Sequence, residues 1–288
     1  MTSVEISTSV RSLTANDVRR LHVSRWSTTS LQRLIEIVES YPNRSVWNPS
    51  SGDFGIVNGW RHRPEIAHLF ELVAPRDPVS VVQSAMAAAR ADGAELFIAV
   101  ETDAVRRPAF YERLGLTLME EVISLEHPSP KPREQRVENI RPLMELDSTS
   151  LRQLVELDHM AFPWIWRNSA KEFSTYVLEP GVELYGVEAD GRIVAYIGFT
   201  AFLGWGHIDR VAVEPQFQGQ GLGVRLTRFA TDRLVRVGAR RIGLSTQVTN
   251  EPARRMYEKL GFVRQLATDY RLYGRWIDER SELQRSKE

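Results

Sequence analysis

The chain has 288 residues, 42% hydrophobic and 26% charged, with 37 basic side chains against 37 acidic ones. That length accommodates two domains of roughly 130–150 residues each, and the even charge lacks the basic surplus of a nucleic-acid-binding surface. The absence of cysteine excludes disulfides, thiolate metal sites and a cysteine nucleophile and fits a cytoplasmic protein; a polar Met1–Val10 and the lack of any run of ~20 apolar residues speak against secretion and membrane insertion.

In chain order, the first half offers a strand over Leu69–Val73, a Pro-flanked turn Ala74-Pro75-Arg76-Asp77-Pro78 and a helix over Val79–Arg90. Gly93-Ala94 then opens the apolar run Leu96–Val100, which is followed by Pro108–Leu116. His127–Glu138, with three prolines among charged residues, reads as a linker. The expected division is therefore residues 1–127, a linker at 128–136, and residues 137–288. The halves carry an internal repeat: Gly238-Ala239 lies 145 residues after Gly93-Ala94, and Tyr257-Glu-Lys-Leu-Gly261 lies 146 after Tyr111-Glu-Arg-Leu-Gly115.

The second half reads as a strand at Val137–Arg141, a helix at Ser148–Phe162 with Leu151, Leu154 and Val155 on one side, and a helix at Ala170–Leu178. Val182–Glu188 and Ile193–Phe202 form a hairpin around Asp190-Gly191. A strand His207–Val213, a long helix Leu222–Val237, a strand Arg241–Val248, a helix Pro252–Leu260 and a strand Thr268–Tyr273 follow. Mixed strands and helices make the class α/β or α+β.

Gln218-Gly219-Gln220-Gly221-Leu222-Gly223 joins a strand to a long helix. Glycines bring backbone N–H groups close to a ligand and the helix start adds positive potential, which suits a pyrophosphate. A Walker loop would need Gly-Lys-(Ser/Thr), whereas Val224-Arg225 follow. A dinucleotide fingerprint would need G-x-G-x-x-G at the first strand–helix junction of a βαβ unit.

Gln218-x-x-Gly221-x-Gly223 after Val211-Ala212-Val213, with Asn250-x-x-Ala253-x-x-x-Tyr257-x-x-x-Gly261-Phe262 downstream, resembles motifs A and B of the GNAT N-acetyltransferases. The resemblance covers Val137–Tyr273 and implies two tandem GNAT-like domains, each a mixed, mostly antiparallel sheet flanked by helices. It also implies acetyl-CoA as donor, a primary amine of a small molecule or peptide as acceptor, and direct attack within a ternary complex. By the same resemblance, Val211, Ala212 and Val213 would pair through their backbones with the pantetheine arm. Gln218, Gly219, Gln220, Gly221, Leu222 and Gly223 would hold the pyrophosphate, Asn250 and Ala253 would line the cofactor's arm, and Tyr257 would serve as general acid at the sulfur. A phenol near 10 suits a thiolate whose acid lies near ~8.5. Ala253, Met256, Tyr257 and Leu260 also fit a plain buried stripe.

His207 and Asp209 are the candidates for general base; by alternation they share a strand face with Val211. An ordinary polar residue at a strand start is the alternative for His207. Trp164, Trp166 and Arg167 fall where the family builds its acceptor wall, and core packing explains the tryptophans equally well. Arg254, Arg255 and Lys259 would meet a ribose 3′-phosphate or else form a solvated face. The first half lacks glycines at Ala74–Pro78 and a counterpart of Asn250 near Asp103–Arg107, so it resembles a degenerate copy, in an arrangement similar to mycothiol synthase. No metal, nucleic acid or membrane is called for, and a monomer or homodimer is expected. A non-catalytic acyl-CoA-binding or scaffold protein is the alternative function.

Overall fold

The computed structural model describes residues 10–21, 29–102, 108–132 and 136–278. Asp103–Arg107, where a counterpart of Asn250 was sought, lie outside the described residues, as do 133–135 of the linker. The elements in order are β1 (Arg11–Ser12), α1 (Ala15–Val18), α2 (Leu31–Ser40), β2 (Val46–Trp47), β3 (Phe54–Trp60), β4 (Arg63–Val73), α3 (Pro78–Ala91), β5 (Leu96–Glu101), α4 (Pro108–Arg113) and β6 (Thr117–His127). They continue with β7 (Ile140–Pro142), α5 (Ser148–Ala161), α6 (Ala170–Tyr176), β8 (Val182–Ala189), β9 (Arg192–Phe202), β10 (Trp205–Val213), α7 (Leu222–Arg236), β11 (Arg241–Gln247), α8 (Glu251–Lys259), β12 (Val263–Arg264) and β13 (Tyr270–Trp276).

The expected helices and the Asp190-Gly191 hairpin are present within a few residues of their expected ends. The domain division differs. The compact units are residues 1–120 with 271–288, and residues 121–270. The expected cut at the linker fails because each half of the sequence sends its last strand into the other unit. In the first unit β13 pairs antiparallel with β5, from Arg271↔Glu101 to Trp276↔Leu96. In the second, β6 pairs antiparallel with β11, from Ile242↔His127 to Gln247↔Val122. A strand's hydrophobic alternation fixes which face it buries, not which sheet it joins.

Each unit is a mixed, mostly antiparallel sheet with helices on both faces. The first unit has the strand order β1-β2-β3-β4-β5-β13, and the second β6-β11-β10-β9-β8-β7 with β12 beside β6. Among the described residues each contains a parallel pair, β4–β5 in the first and β10–β11 in the second. In the second unit α7 and α8 bury Leu222, Leu226, Ala230, Leu234 and Tyr257 on one face. Leu154, Leu157 and Phe173 of α5 and α6 cover the other.

The two units share backbone details at corresponding positions. The helices before β5 and β11 end on Gly93 and Gly238, with φ of 84° and 100°. Behind them Ala94 N donates to Ala89 O and Ala239 N to Leu234 O, both at 2.9 Å. After α4 and α8, Leu116 N reaches Tyr111 O and Phe262 N reaches Tyr257 O, both at 3.0 Å. Only left-handed glycines close helices this way at low cost.

Candidate active site

The second unit's sheet opens at its parallel pair. β10 and β11 are laddered from Trp205↔Arg241 to Ile208↔Leu244 and no further among the described residues, although both strands run on. On its other side β10 stays paired with β9 through Val213↔Ala195. The backbone edge of Val211, Ala212 and Val213 that faces β11 is thus left without a ladder partner.

The opening coincides with a bulge. Ile208 pairs with Phe199 and Arg210 with Gly198, so Asp209 is an extra residue in β10. An extra residue reverses the alternation beyond it. Val211, opposite Ile197, packs into the core beneath α7, while His207 and Asp209 lie on the α5–α6 face. The expected sharing of one face by His207, Asp209 and Val211 is therefore corrected: strict period two does not survive the bulge. β4 carries the same irregularity, since Val57 pairs with Leu69 and Ile56 with Glu71, leaving Phe70 extra. His68 stands two residues before Phe70 as His207 stands two before Asp209. Its Nδ1 lies 3.0 Å from Asn58 Oδ1, and burial lowers its pKa to about 4.

Asp209 is saturated as an acceptor. Tyr176 Oη and Thr200 Oγ1 both donate to its Oδ2 at 2.6 Å, and His207 Nδ1 lies 2.7 Å from its Oδ1. Tyr176 reaches it by lying across Gly198, where any Cβ would stand 2.7 Å from the phenol oxygen. Burial, then the Asp209 charge, pushes the Tyr176 phenol far above its usual range, so it remains a donor. An acceptor at Nδ1 selects the tautomer with Nδ1–H and leaves the Nε2 lone pair available.

Behind this pair a buried network fixes the loop after α5. Arg210 Nε donates to Asp158 Oδ2 at 2.6 Å and its NH2 group to Trp166 O at 2.6 Å, and the guanidinium lies 3.6 Å over the Phe162 ring. Tyr196 Oη donates to the same Asp158 oxygen at 2.5 Å, and Asn168 N reaches the other at 2.7 Å. Trp164 and Trp166 are buried, at 7% and 3% exposure, so their rings add core packing to that network. Arg167 turns its Nε to Phe162 O at 3.2 Å. Sequence inspection missed Asp158, Tyr196 and Arg210. A signal existed, because Asp158 continues the Leu151, Leu154, Val155 stripe at i+7, and an acid on an apolar stripe needs a partner.

The glycine turn leaves a row of backbone donors open. Gly219 and Gly221 adopt φ of 74° and 76°, and space is open where a Cβ would stand at either. Gly221 is the N-cap of α7 and offers no side-chain cap. From Gly219 to Val224 no backbone N–H is engaged among the described residues, and donors left free at a helix start attract anions. Gln218 Nε2 donates to Val213 O at 3.0 Å and Gln220 Nε2 to Gln216 O at 3.2 Å, so these two side chains shape the turn. Buried Glu214 braces its entry by accepting from Arg192 and Gln216. The equivalent start of α3 is already neutralised: Asp77 caps Ser80 N at 3.0 Å, and Asp53 accepts Asp77 N at 2.9 Å. Two carboxylates there oppose a phosphate as well as displacing it.

Asn250 is the N-cap of α8, its Oδ1 accepting Ala253 N at 3.3 Å, which leaves its amide N–H groups facing outward. Ala253 is partly buried against the core. Tyr257 is 7% exposed and stacks edge-on against Phe262; burial pushes its phenol up to about 12. Its hydroxyl has no hydrogen-bond partner among the described residues. A cavity of about 500 Å³ between α7 and α8 has Val224, Met256 and Leu260 in its apolar lining and Arg228, Arg255 and Lys259 at its rim. Arg254 points elsewhere, donating to Val248 O at 2.7 Å. Among the described residues no cluster of His, Asp or Glu could hold a metal ion.

The profile of the acetyltransferase (GNAT) family matches residues 144–262. An N-alpha-acetyltransferase of Sulfurisphaera tokodaii is 27% identical over 145 residues, which cover 46% of this chain and 82% of that protein. The [ribosomal protein bS18]-alanine N-acetyltransferase of Escherichia coli K12 is 28% identical over 122 residues, 42% of this chain and 79% of that one. A mycothiol acetyltransferase of Actinosynnema mirum is 28% identical over half of each chain. Among solved structures, a GCN5-related N-acetyltransferase from Sphaerobacter thermophilus has a TM-score of 0.60 at 17% identity and covers 93% of this chain and 95% of its own. A tandem GNAT protein from the clavulanic acid biosynthesis pathway has a TM-score of 0.57 at 13% identity, covering 93% and 98%.

Proposed function

We propose, from the match of residues 144–262 to the acetyltransferase (GNAT) family, that the chain transfers an acetyl group from acetyl-CoA to a primary amine, within a ternary complex and with no covalent enzyme intermediate. One observation carries the proposal: the parallel ladder stops at Ile208↔Leu244 beside a helix start with no cap. Unpaired backbone on β10 suits an amide-bearing arm, and the free N–H groups of Gly219–Val224 suit a diphosphate. Asn250 would add its outward amide to the same arm. Arg228 and Lys259 would draw a nucleotide phosphate to the α7–α8 cavity, helped by Arg255, which is shared with Glu251, while Arg254 is turned to Val248 O.

Acetyl-CoA supplies the acyl group as an activated thioester, and the chain's side chains manage the protons. His207 Nε2 would take the proton from the attacking ammonium. Asp209 would hold the imidazole's orientation and balance the charge it gains, a role consistent with its full set of donors. Burial pushes the Tyr257 phenol up to about 12, above the ~8.5 of a thiol. Complete proton transfer from it is uphill, so it would stabilise the leaving sulfur as a hydrogen-bond donor. The Trp164–Arg167 loop, pinned through Arg210, would form one wall for the acceptor. The first unit, with carboxylates at the start of α3, would bind no donor, and we infer that it descends from a duplication.

Titration calorimetry of the full chain with acetyl-CoA tests this. One site per chain is expected, with an accompanying rise in melting temperature and thiol release when an amine is added. Gly221→Pro removes an N–H and cannot adopt φ near 76°, so it should take the stoichiometry towards zero. Two comparable sites, or one that survives this change, would overturn the assignment.

A further inference from the structure

The side chains that lead away from His207 on the α5–α6 face form an open aromatic strip. Phe202 at the end of β9 and Trp205 at the start of β10 are cross-strand partners. Their rings stack 5.9 Å apart at 25°, and the Trp205 ring lies 5.4 Å from that of His207. Phe202 is 57% exposed and Trp205 37%, so neither ring is spent on filling the core. Gly243 lies opposite His207 on β11, and a Cβ there would stand 3.0 Å from Trp205 and 3.3 Å from His207. The missing side chain lets both rings lie down against the sheet. Arg241, across from Trp205, is held by both oxygens of Glu126, which leaves Asp209 as the acidic group at the inner end of the strip.

We propose that this strip is an acceptor subsite for a primary amine carrying an aromatic or bulky apolar group two or three bonds from its nitrogen. The inference rests on the acetyl-transfer reading and names its substrate class. The protonated amine is drawn to Asp209 and to the faces of the aromatic rings. Its apolar body stacks on Trp205 and reaches Phe202, which removes both exposed rings from water. The nitrogen then stands at His207, the group that accepts its proton. An amine without such a body gains only the charge attraction.

The test uses the full chain with 2-phenylethylamine, ethylamine and a short peptide with an N-terminal phenylalanine as acceptors, following thiol release at saturating acetyl-CoA. The parent should prefer 2-phenylethylamine to ethylamine by about tenfold or more in kcat/KM, mostly through KM. Trp205→Ala should remove most of that preference, and Trp205→Phe should keep it. Turnover of the peptide would place the same chemistry on a polypeptide; turnover of 2-phenylethylamine alone would place it on a small molecule. Calorimetric binding of 2-phenylethylamine to the CoA-saturated protein separates the two levels of the claim. Binding weakened about tenfold by Trp205→Ala, without thiol release from any amine, would keep the subsite and overturn the transferase reading. Ethylamine turnover with no preference for the aromatic amine, or a preference unchanged in Trp205→Ala, would overturn the subsite and keep the transferase. A melting curve close to the parent's checks that these partly exposed positions leave the fold intact.

Discussion

Cutting the chain within the linker, to leave residues 137–288, removes β6 from the second unit's sheet. Val122, Ile123 and Leu125 of that strand are 2%, 3% and 2% exposed, and Ile123 and Leu125 sit in the same core as Tyr257 and Leu226. Three such side chains at roughly 1.5–3 kcal/mol each amount to about 5–9 kcal/mol. A domain of this size has only about 5–15 kcal/mol in total. The cut also bares the edge of β11 from Ile242 to Gln247, an invitation to aggregation. Residues 137–288 alone should therefore show no cooperative thermal transition by circular dichroism and no stabilisation by acetyl-CoA. Residues 117–270, which retain the whole second unit, should show both. A cooperative melt of 137–288 within a few degrees of the longer fragment's would refute the assignment of β6 to this unit.

Tyr257→Phe should lower turnover by about 10²-fold while leaving acetyl-CoA binding nearly unchanged, as read by single-turnover rates and calorimetry. The same variant has a stability signature. A phenol held protonated from 10.0 up to about 12 in the fold contributes stability that is present below pH 10 and lost as pH rises towards 12, roughly 2–3 kcal/mol in all; Tyr257→Phe should shallow that alkaline limb in denaturant titrations, and an unaltered limb would mean the phenol is more accessible than its burial indicates. Arg210→Met leaves Asp158 buried without its cation and should cost roughly 3–5 kcal/mol. The Asp158→Asn, Arg210→Met pair should recover part of it, and KM for the amine should rise in both; parent-like stability in the single variant would mean that Tyr196 and Asn168 N suffice for Asp158.

The parts that a sequence reports well are those where one residue type alone satisfies the backbone. Gly219 and Gly221 at φ near 75°, the Asp190-Gly191 turn and the glycines ending α3 and α7 are of this kind. Helices declared themselves by their apolar stripes. The exchanged last strands were not legible, because β6 and β13 would read identically in either sheet. Nor was the bulge, since an extra residue leaves no trace in a run as regular as His-Ile-Asp-Arg-Val. Asn250 was singled out for a ligand and is also a helix cap, a role that the Pro252 at the first turn of α8 announces. Trp164 and Trp166 were legible as a cluster for which burial and an acceptor wall stood as equal alternatives, since the Arg210 bond to Trp166 O comes from some forty residues downstream.

On the proposed function, the bulge at Asp209 would let one strand address two molecules that approach from different directions. Upstream of it, β10 works through side chains, presenting Trp205, His207 and Asp209 to whatever rests on the α5–α6 face. Downstream, Val211 is turned into the core and the strand has only its peptide groups left to offer. Pairing Asp209 itself with Gly198, with no extra residue, would turn every side chain from Arg210 onward to the opposite side. Arg210 would leave Asp158, and Ala212 would leave its place beside Tyr196. A strand so regularised would be smoother than the natural one and would carry His207, Asp209 and Val211 on one face. On the proposed function, one irregular residue would keep the two halves of the reaction apart.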